Sequence, residues 1–84
     1  MQFQVEIYVT LRPAVLDPAG TAVQSSLRGM NYDVEDLRIG KYIQLTLIAE
    51  HEAQARAQVE EMCTQVLTNP VIETYRFELN TPKP

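Results

Sequence analysis

Val34-Glu35-Asp36-Leu37-Arg38-Ile39-Gly40-Lys41-Tyr42-Ile43-Gln44-Leu45-Thr46-Leu47 decides how the fold of this chain is drawn. Leu37, Ile39, Ile43, Leu45 and Leu47 sit at odd positions, and Arg38, Gln44 and Thr46 at even ones. Alternate residues of a strand face opposite ways, so the stretch predicts a half-buried strand. Its phase runs on through Gly40-Lys41-Tyr42, where a turn would be sought. A two-residue hairpin loop at Gly40-Lys41 would pair Ile39 with Tyr42 and Leu37 with Gln44, setting an apolar face beside a polar one. An odd loop, with Ile39 opposite Ile43, keeps the faces consistent, and so does one long bent strand with no hairpin. The first option gives a self-contained sheet. The second gives a strand long enough to cross into another subunit.

The rest of the chain supplies partners for that strand. Phe3, Val5, Ile7, Val9 and Leu11 alternate with Gln4, Glu6, Tyr8 and Thr10, a strand with one buried face that Pro13 ends. Asp17-Pro18 reads as a helix start, with Asp17 as N-cap and Pro18 at the first helical position, where a missing N–H is harmless. Ala19, Ala22, Val23, Leu27 and Met30 follow at helical spacing, and Asn31 is a left-handed stop. A second helix is expected over Glu50–Thr68 on the stripe Ala55, Val59, Met62, Cys63, Val66 and Leu67, with Glu52 and Arg56 spaced to pair across one turn. Asn69-Pro70 stops it, and Val71–Leu79 forms the last strand. The expected class is α+β, a ferredoxin-like β-α-β-β-α-β chain with an antiparallel sheet and two helices on one face. Residues 1–80 make a single domain and residues 81–84 a frayed tail.

A chain of 84 residues buries only about 60–65% of its unfolded surface, so a partner subunit would help its stability. Seven Lys and Arg against eleven Asp and Glu give a net charge of −4, which argues against a nucleic-acid partner. No apolar run approaches a membrane span, and Met1-Gln2-Phe3-Gln4 has no signal-peptide character. One cysteine allows no internal disulfide, and cytoplasmic residence is the default expectation.

Chemistry is hard to find. His51, the one histidine, is better read as an exposed residue of a first helical turn than as a base. Cys63 lies in an apolar helix stripe, where a small buried hydrophobe is a better account than a nucleophile. One His and one Cys cannot make a zinc site, and glycines 20, 29 and 40 stand apart rather than forming a phosphate loop. No catalytic residue, metal or cofactor is expected. The even sheet face is more informative: Tyr8, Thr10, Tyr42, Gln44, Thr46, Thr74 and Arg76 would share a surface that suits a protein interface as well as it suits solvent. Its tyrosines also raise an RNA-recognition sheet, against which Glu6 and the acidic balance stand.

Laid out in order, these residues resemble the PurS small subunit of phosphoribosylformylglycinamidine synthase from Val5 to Phe77. The pieces that carry the resemblance are Tyr8-Val9-Thr10-Leu11-Arg12-Pro13, Val15-Leu16-Asp17-Pro18-Ala19-Gly20, Gly40-Lys41-Tyr42-Ile43-Gln44-Leu45, Met62-Cys63 and Asn69-Pro70-Val71-Ile72-Glu73-Thr74-Tyr75-Arg76-Phe77. Ala14, Ala19, Gln44 and Thr74 depart from the family's habit without removing a catalytic group. The resemblance implies a non-catalytic subunit of an ATP-dependent ligase that makes formylglycinamidine ribonucleotide from formylglycinamide ribonucleotide and glutamine. It implies a synthetase (PurL-type) and a glutaminase (PurQ-type) partner, self-association to a dimer or tetramer, and a share in sheltering ammonia. It also implies intertwined, segment-exchanged dimers, which favours the long middle strand bent at Gly40.

Two other functions fit the same fold. A regulatory module binding small molecules would want a glycine-rich loop after the first strand, which Arg12-Pro13-Ala14-Val15 lacks. An acyl-phosphate hydrolase would want a phosphate cradle around Arg12. The residues expected to meet partners are Tyr8, Arg12, Asp17, Lys41 and Tyr42, although Asp17 also reads as a helix cap and Lys41 as a solvated turn.

Overall fold

A computed structural model describes residues 1–81; the part of the expected tail at 82–84 lies outside the described residues. The elements run β1 (Gln2–Leu11), α1 (Pro18–Gly29), β2 (Lys41–Ile48), α2 (Glu52–Met62), a π-helical extension (Cys63–Leu67) and β3 (Glu73–Asn80). The three strands form one antiparallel sheet in the order β2-β1-β3. Odd positions pair with odd positions throughout, as in Ile7 opposite Ile43 on one side and Phe77 on the other. The alternation thus survives as two coherent faces.

The odd face is the core. Phe3, Val5, Ile7 and Val9 of the central strand are buried against Ala55 and Val59 of α2 and Cys63. Ile43, Leu45 and Leu47 of β2 and Tyr75, Phe77 and Leu79 of β3 flank that centre half-buried. The geometry explains the gradient: one helix about 10 Å wide lies over three strands spaced about 4.8 Å apart, so it seals the middle strand and leaves the flanks open. The first helix does not help. No α1 residue belongs to the core cluster, Gly20 is its one buried residue, and Val23 and Met30 are exposed. The Cα radius of gyration of the chain is 16.5 Å, against about 12 Å for a compact chain of this length.

The sequence-based expectation of four strands is corrected to three. The long middle strand bent at Gly40 is not present: β2 begins at Lys41, and the preceding segment is irregular. Asp36 adopts φ 53°, in the left-handed region, which turns the chain out of any strand. Beyond it, the Ile39 N–H donates to the Asp17 carboxylate and Arg38 donates to the carbonyls of Arg12 and Val15, so the segment bonds to a loop. Gly40 has no positive φ. It is required because an added Cβ would lie 2.3 Å from the Val9 carbonyl oxygen.

The helix ends follow local chemistry. Asp17 caps α1 with Pro18 in its first turn, and Asn31 closes it at φ 69°. The second helix is shorter than Glu50–Thr68, because His51 is its N-cap: its Nδ1 accepts from the Gln54 N–H at 3.1 Å. At the far end the Cys63 carbonyl accepts from the Thr68 N–H at 3.0 Å, a five-residue step, and from the Thr68 hydroxyl at 2.7 Å.

Candidate functional site

Two places gather the polar side chains that could do work. The first is the even face of the sheet, which no element among the described residues covers. Register places Tyr42, Tyr8 and Arg76 in one row across β2, β1 and β3. The tyrosine rings meet at 5.2 Å between centroids with a 34° tilt, and the Arg76 guanidinium carbon lies 4.0 Å over the Tyr8 ring. This is a cation–π stack continued by an aromatic pair. Arg76 also pairs with Glu78 at 3.5 Å, and the Tyr8 hydroxyl donates to Glu6 at 3.0 Å. That bond holds the Tyr8 phenol above its ordinary pKa, because ionising it would set a phenolate against a carboxylate. One row along, the Thr10 and Thr74 hydroxyls are 3.2 Å apart.

The second place is the end of the sheet where β1 stops and β2 and β3 begin. Asp17 is 6% exposed. Its two carboxylate oxygens accept from the Gly20 N–H at 3.0 Å and the Ile39 N–H at 2.9 Å. The Ile39 bond, then the Gly20 bond and the nearby Arg38 charge, hold its pKa below the usual carboxylate range against the opposing pull of burial. Arg12 donates through Nε and Nη2 to the Pro70 carbonyl at 3.1 and 2.7 Å. Lys41 reaches across the odd face to Glu73 at 3.3 Å. The Asn69 N–H and, secondarily, Lys41 lower the Glu73 pKa.

Of the five residues singled out in the sequence, the structure therefore brings Tyr8 and Tyr42 together on the open face, and Arg12, Asp17 and Lys41 together around the loop end. Arg38 and Glu73 belong to the loop end too and escaped sequence reading. Their partners are far away in the chain, and no spacing rule announces them. His51 is spent on its cap, and Cys63 is buried with its thiol pKa pushed up by desolvation. Among the described residues no group of three His, Cys, Asp or Glu side chains is placed to hold a metal ion, and no helix is long and apolar enough to cross a membrane.

A chain with an open interface-like face and tied loops invites comparison with known proteins. Residues 4–81 match the PurS family model, described as phosphoribosylformylglycinamidine (FGAM) synthase. The chain belongs to the PurS family. The family's PurS subunit from a Synechocystis strain is 60% identical over 92% of this chain and 78% of its own length. That from Bacillus subtilis is 47% identical over 92% of both. Among solved structures, B. subtilis PurS superposes with TM-score 0.82 at 45% identity, covering 94% of this chain and 99% of that one. PurLQS from Thermotoga maritima contains a chain with TM-score 0.88 and 35% identity, covering 94% and 98%. The family's role is that of a subunit of FGAM synthase in purine biosynthesis.

Proposed function

We propose that this chain is a non-catalytic assembly subunit of FGAM synthase, joining a PurL-type synthetase to a PurQ-type glutaminase in an ATP-dependent, glutamine-using ligase of the cytoplasm. The observation that carries this reading is the uncovered surface: an entire sheet face and the apolar side of α1 have no cover among the described residues. A chain of one small domain, residues 1–80, gains cover by self-association to a dimer or tetramer and by seating on larger subunits. Tyr8 and Tyr42 serve as partner contacts, since stacked aromatics beside an arginine lose little rotamer freedom on binding. Arg12, Asp17 and Lys41 contribute by holding the loop end in shape for a partner. The assembled complex helps shelter ammonia between the two catalytic subunits.

The test is reconstitution. Mixing synthetase and glutaminase with this chain should give glutamine-dependent synthesis of formylglycinamidine ribonucleotide, while the chain alone hydrolyses neither glutamine nor ATP. Full glutamine-dependent activity in its absence would contradict the reading.

A further inference from the structure

The strand residues of the even face carry three charges, Glu6, Arg76 and Glu78, in two neighbouring rows. Glu6 lies directly opposite Glu78, and the next row holds Tyr42, Tyr8 and Arg76. Two carboxylates facing each other across a sheet repel. Arg76 answers one of them, pairing with Glu78 at 3.5 Å, while Glu6 accepts from the Tyr8 hydroxyl. The row of carboxylates therefore stays negative beside a guanidinium whose side chain is 67% exposed. The surface is continuous, because Arg76 lies on the Tyr8 ring and Tyr8 meets Tyr42. It is built from β1, β2 and β3 alone, and no residue of α1 belongs to it.

A two-fold contact sets residues of one patch against residues of the same patch on another copy. The charges decide where the axis can lie. An axis across the strands at the Tyr8 row sets Arg76 over Arg76. An axis at the Glu6 row sets Glu6 over Glu6 and Glu78 over Glu78, and an axis along β1 sets Glu6 over Glu6 again. An axis across the strands midway between the two rows exchanges them. Arg76 of each copy then faces Glu78 of the other, with Glu6 beside it, and Tyr42 faces Gln44. The neutral row of Thr10 and Thr74 faces Gln4 and Asn80. Stacked sheets lie about 10 Å apart, a gap that Arg, Glu and Tyr side chains fill from both sides. A match between neighbouring rows of one face serves a second copy and no other partner. Three strands by four rows cover roughly 14 by 27 Å, a small contact that is reversible and weakened by salt.

We infer that the even face of the sheet is covered by a second copy of this chain, in a two-fold stack that crosses Arg76 of each copy with Glu78 of the other. The inference rests on the assembly reading above and names the occupant of this face.

The test is sedimentation velocity of the full chain over a concentration series. Arg76→Glu sets carboxylate against carboxylate, and Glu78→Arg sets guanidinium against guanidinium. Each variant alone should lose this association step by at least about tenfold in affinity. Both side chains are more than half exposed, at 67% and 55%, so the melting temperatures should stay close to the parent's. Self-association through α1, which neither variant touches, should persist in both and set the smaller mass. Mixed one to one, the two variants should recover the parent's larger mass, because every crossed pair is again arginine against glutamate. That rescue in trans separates a contact between copies from the Arg76–Glu78 pair within one chain. Variants that each associate like the parent, or a mixture that fails to recover, would overturn the inference. So would unchanged self-association with lost affinity for a purified synthetase or glutaminase subunit, since a larger subunit would then cover the face. The parent chain's reconstitution of glutamine-dependent activity, measured alongside, reports on the assembly reading independently.

Discussion

Asp17 and Ile39, 22 positions apart in sequence, are joined by a 2.9 Å hydrogen bond from the Ile39 N–H to a carboxylate oxygen whose twin caps helix α1. One buried side chain thereby fixes the start of the helix and the approach to β2. Everything between them, α1 and the turn at Asp36, projects from the sheet as a long excursion pinned at its root.

Removing that pin should cost more than an ordinary cap. Asp17→Ala deletes two acceptors and leaves the Ile39 N–H without its partner, so Tm should fall by roughly 5 °C or more. The pH dependence has a definite sign. The folded pKa lies below the ordinary carboxylate value, so the stabilisation is complete above about pH 4 and is lost as pH falls through the lowered folded value. Glu73 is shifted the same way and adds to the acid limb. Thermal melts of parent and Asp17→Asn between neutral and acid pH should therefore converge as the pH drops.

Two glycines should respond in opposite directions to the same change. A Cβ on Gly40 would lie 2.3 Å from the Val9 carbonyl oxygen and 3.0 Å from a Thr10 methyl, so Gly40→Ala must push β2 away from β1, at a cost of about 1–3 kcal/mol. A Cβ on Gly29 meets nothing within 4 Å, and its backbone is helical. Gly29→Ala should stabilise by about 0.4–1 kcal/mol. Urea unfolding of the two variants checks both signs.

Much of this architecture could be read from short-range pattern, and the misses share a cause. Parity in the strands placed Phe3, Val5, Ile7 and Val9 inside and Tyr8, Tyr42 and Arg76 together outside, because side-chain alternation is a property of the strand itself. Asp17-Pro18 and Asn31 marked the ends of α1 for equally local reasons. The unbroken phase before Gly40 misled, since Leu37 and Ile39 keep strand parity while Asp36 turns left-handed and Asp17 takes the Ile39 N–H. A bond across 22 positions leaves no periodicity. The same holds for Arg12 on Pro70, 58 positions away, which makes the loop end a unit. The position of α1 off the core was hidden for a different reason: an apolar stripe shows that a helix wants cover, and says nothing of whose.

Cys63 should behave as a sealed thiol. It has no exposed surface, and desolvation, with Glu60 adding to it, raises its pKa. Because the thiolate is the reactive form, labelling by a disulfide reagent at neutral pH should be negligible in the folded chain and complete in denaturant. Modification at the rate of a free thiol under native conditions would contradict the packing of the π-helical extension.

The alkaline end of the stability curve should report on Tyr75. Its hydroxyl donates to Glu60 of α2, and this bond, then burial and the carboxylate charge, push its pKa up to about 12. The phenol is neutral in both states below the ordinary tyrosine value, so the β3–α2 tie is fully present below about pH 10 and is lost as pH rises through about 12. In a spectrophotometric titration Tyr75 should therefore ionise last, after Tyr8, whose phenol is raised too. Tyr75→Phe should remove that late step and leave the others in place. Glu60→Gln should bring it back toward the ordinary value, because the carboxylate charge opposing the phenolate is gone. A titration in which Tyr75 ionises with exposed tyrosine would mean that α2 and β3 are not held together at this point.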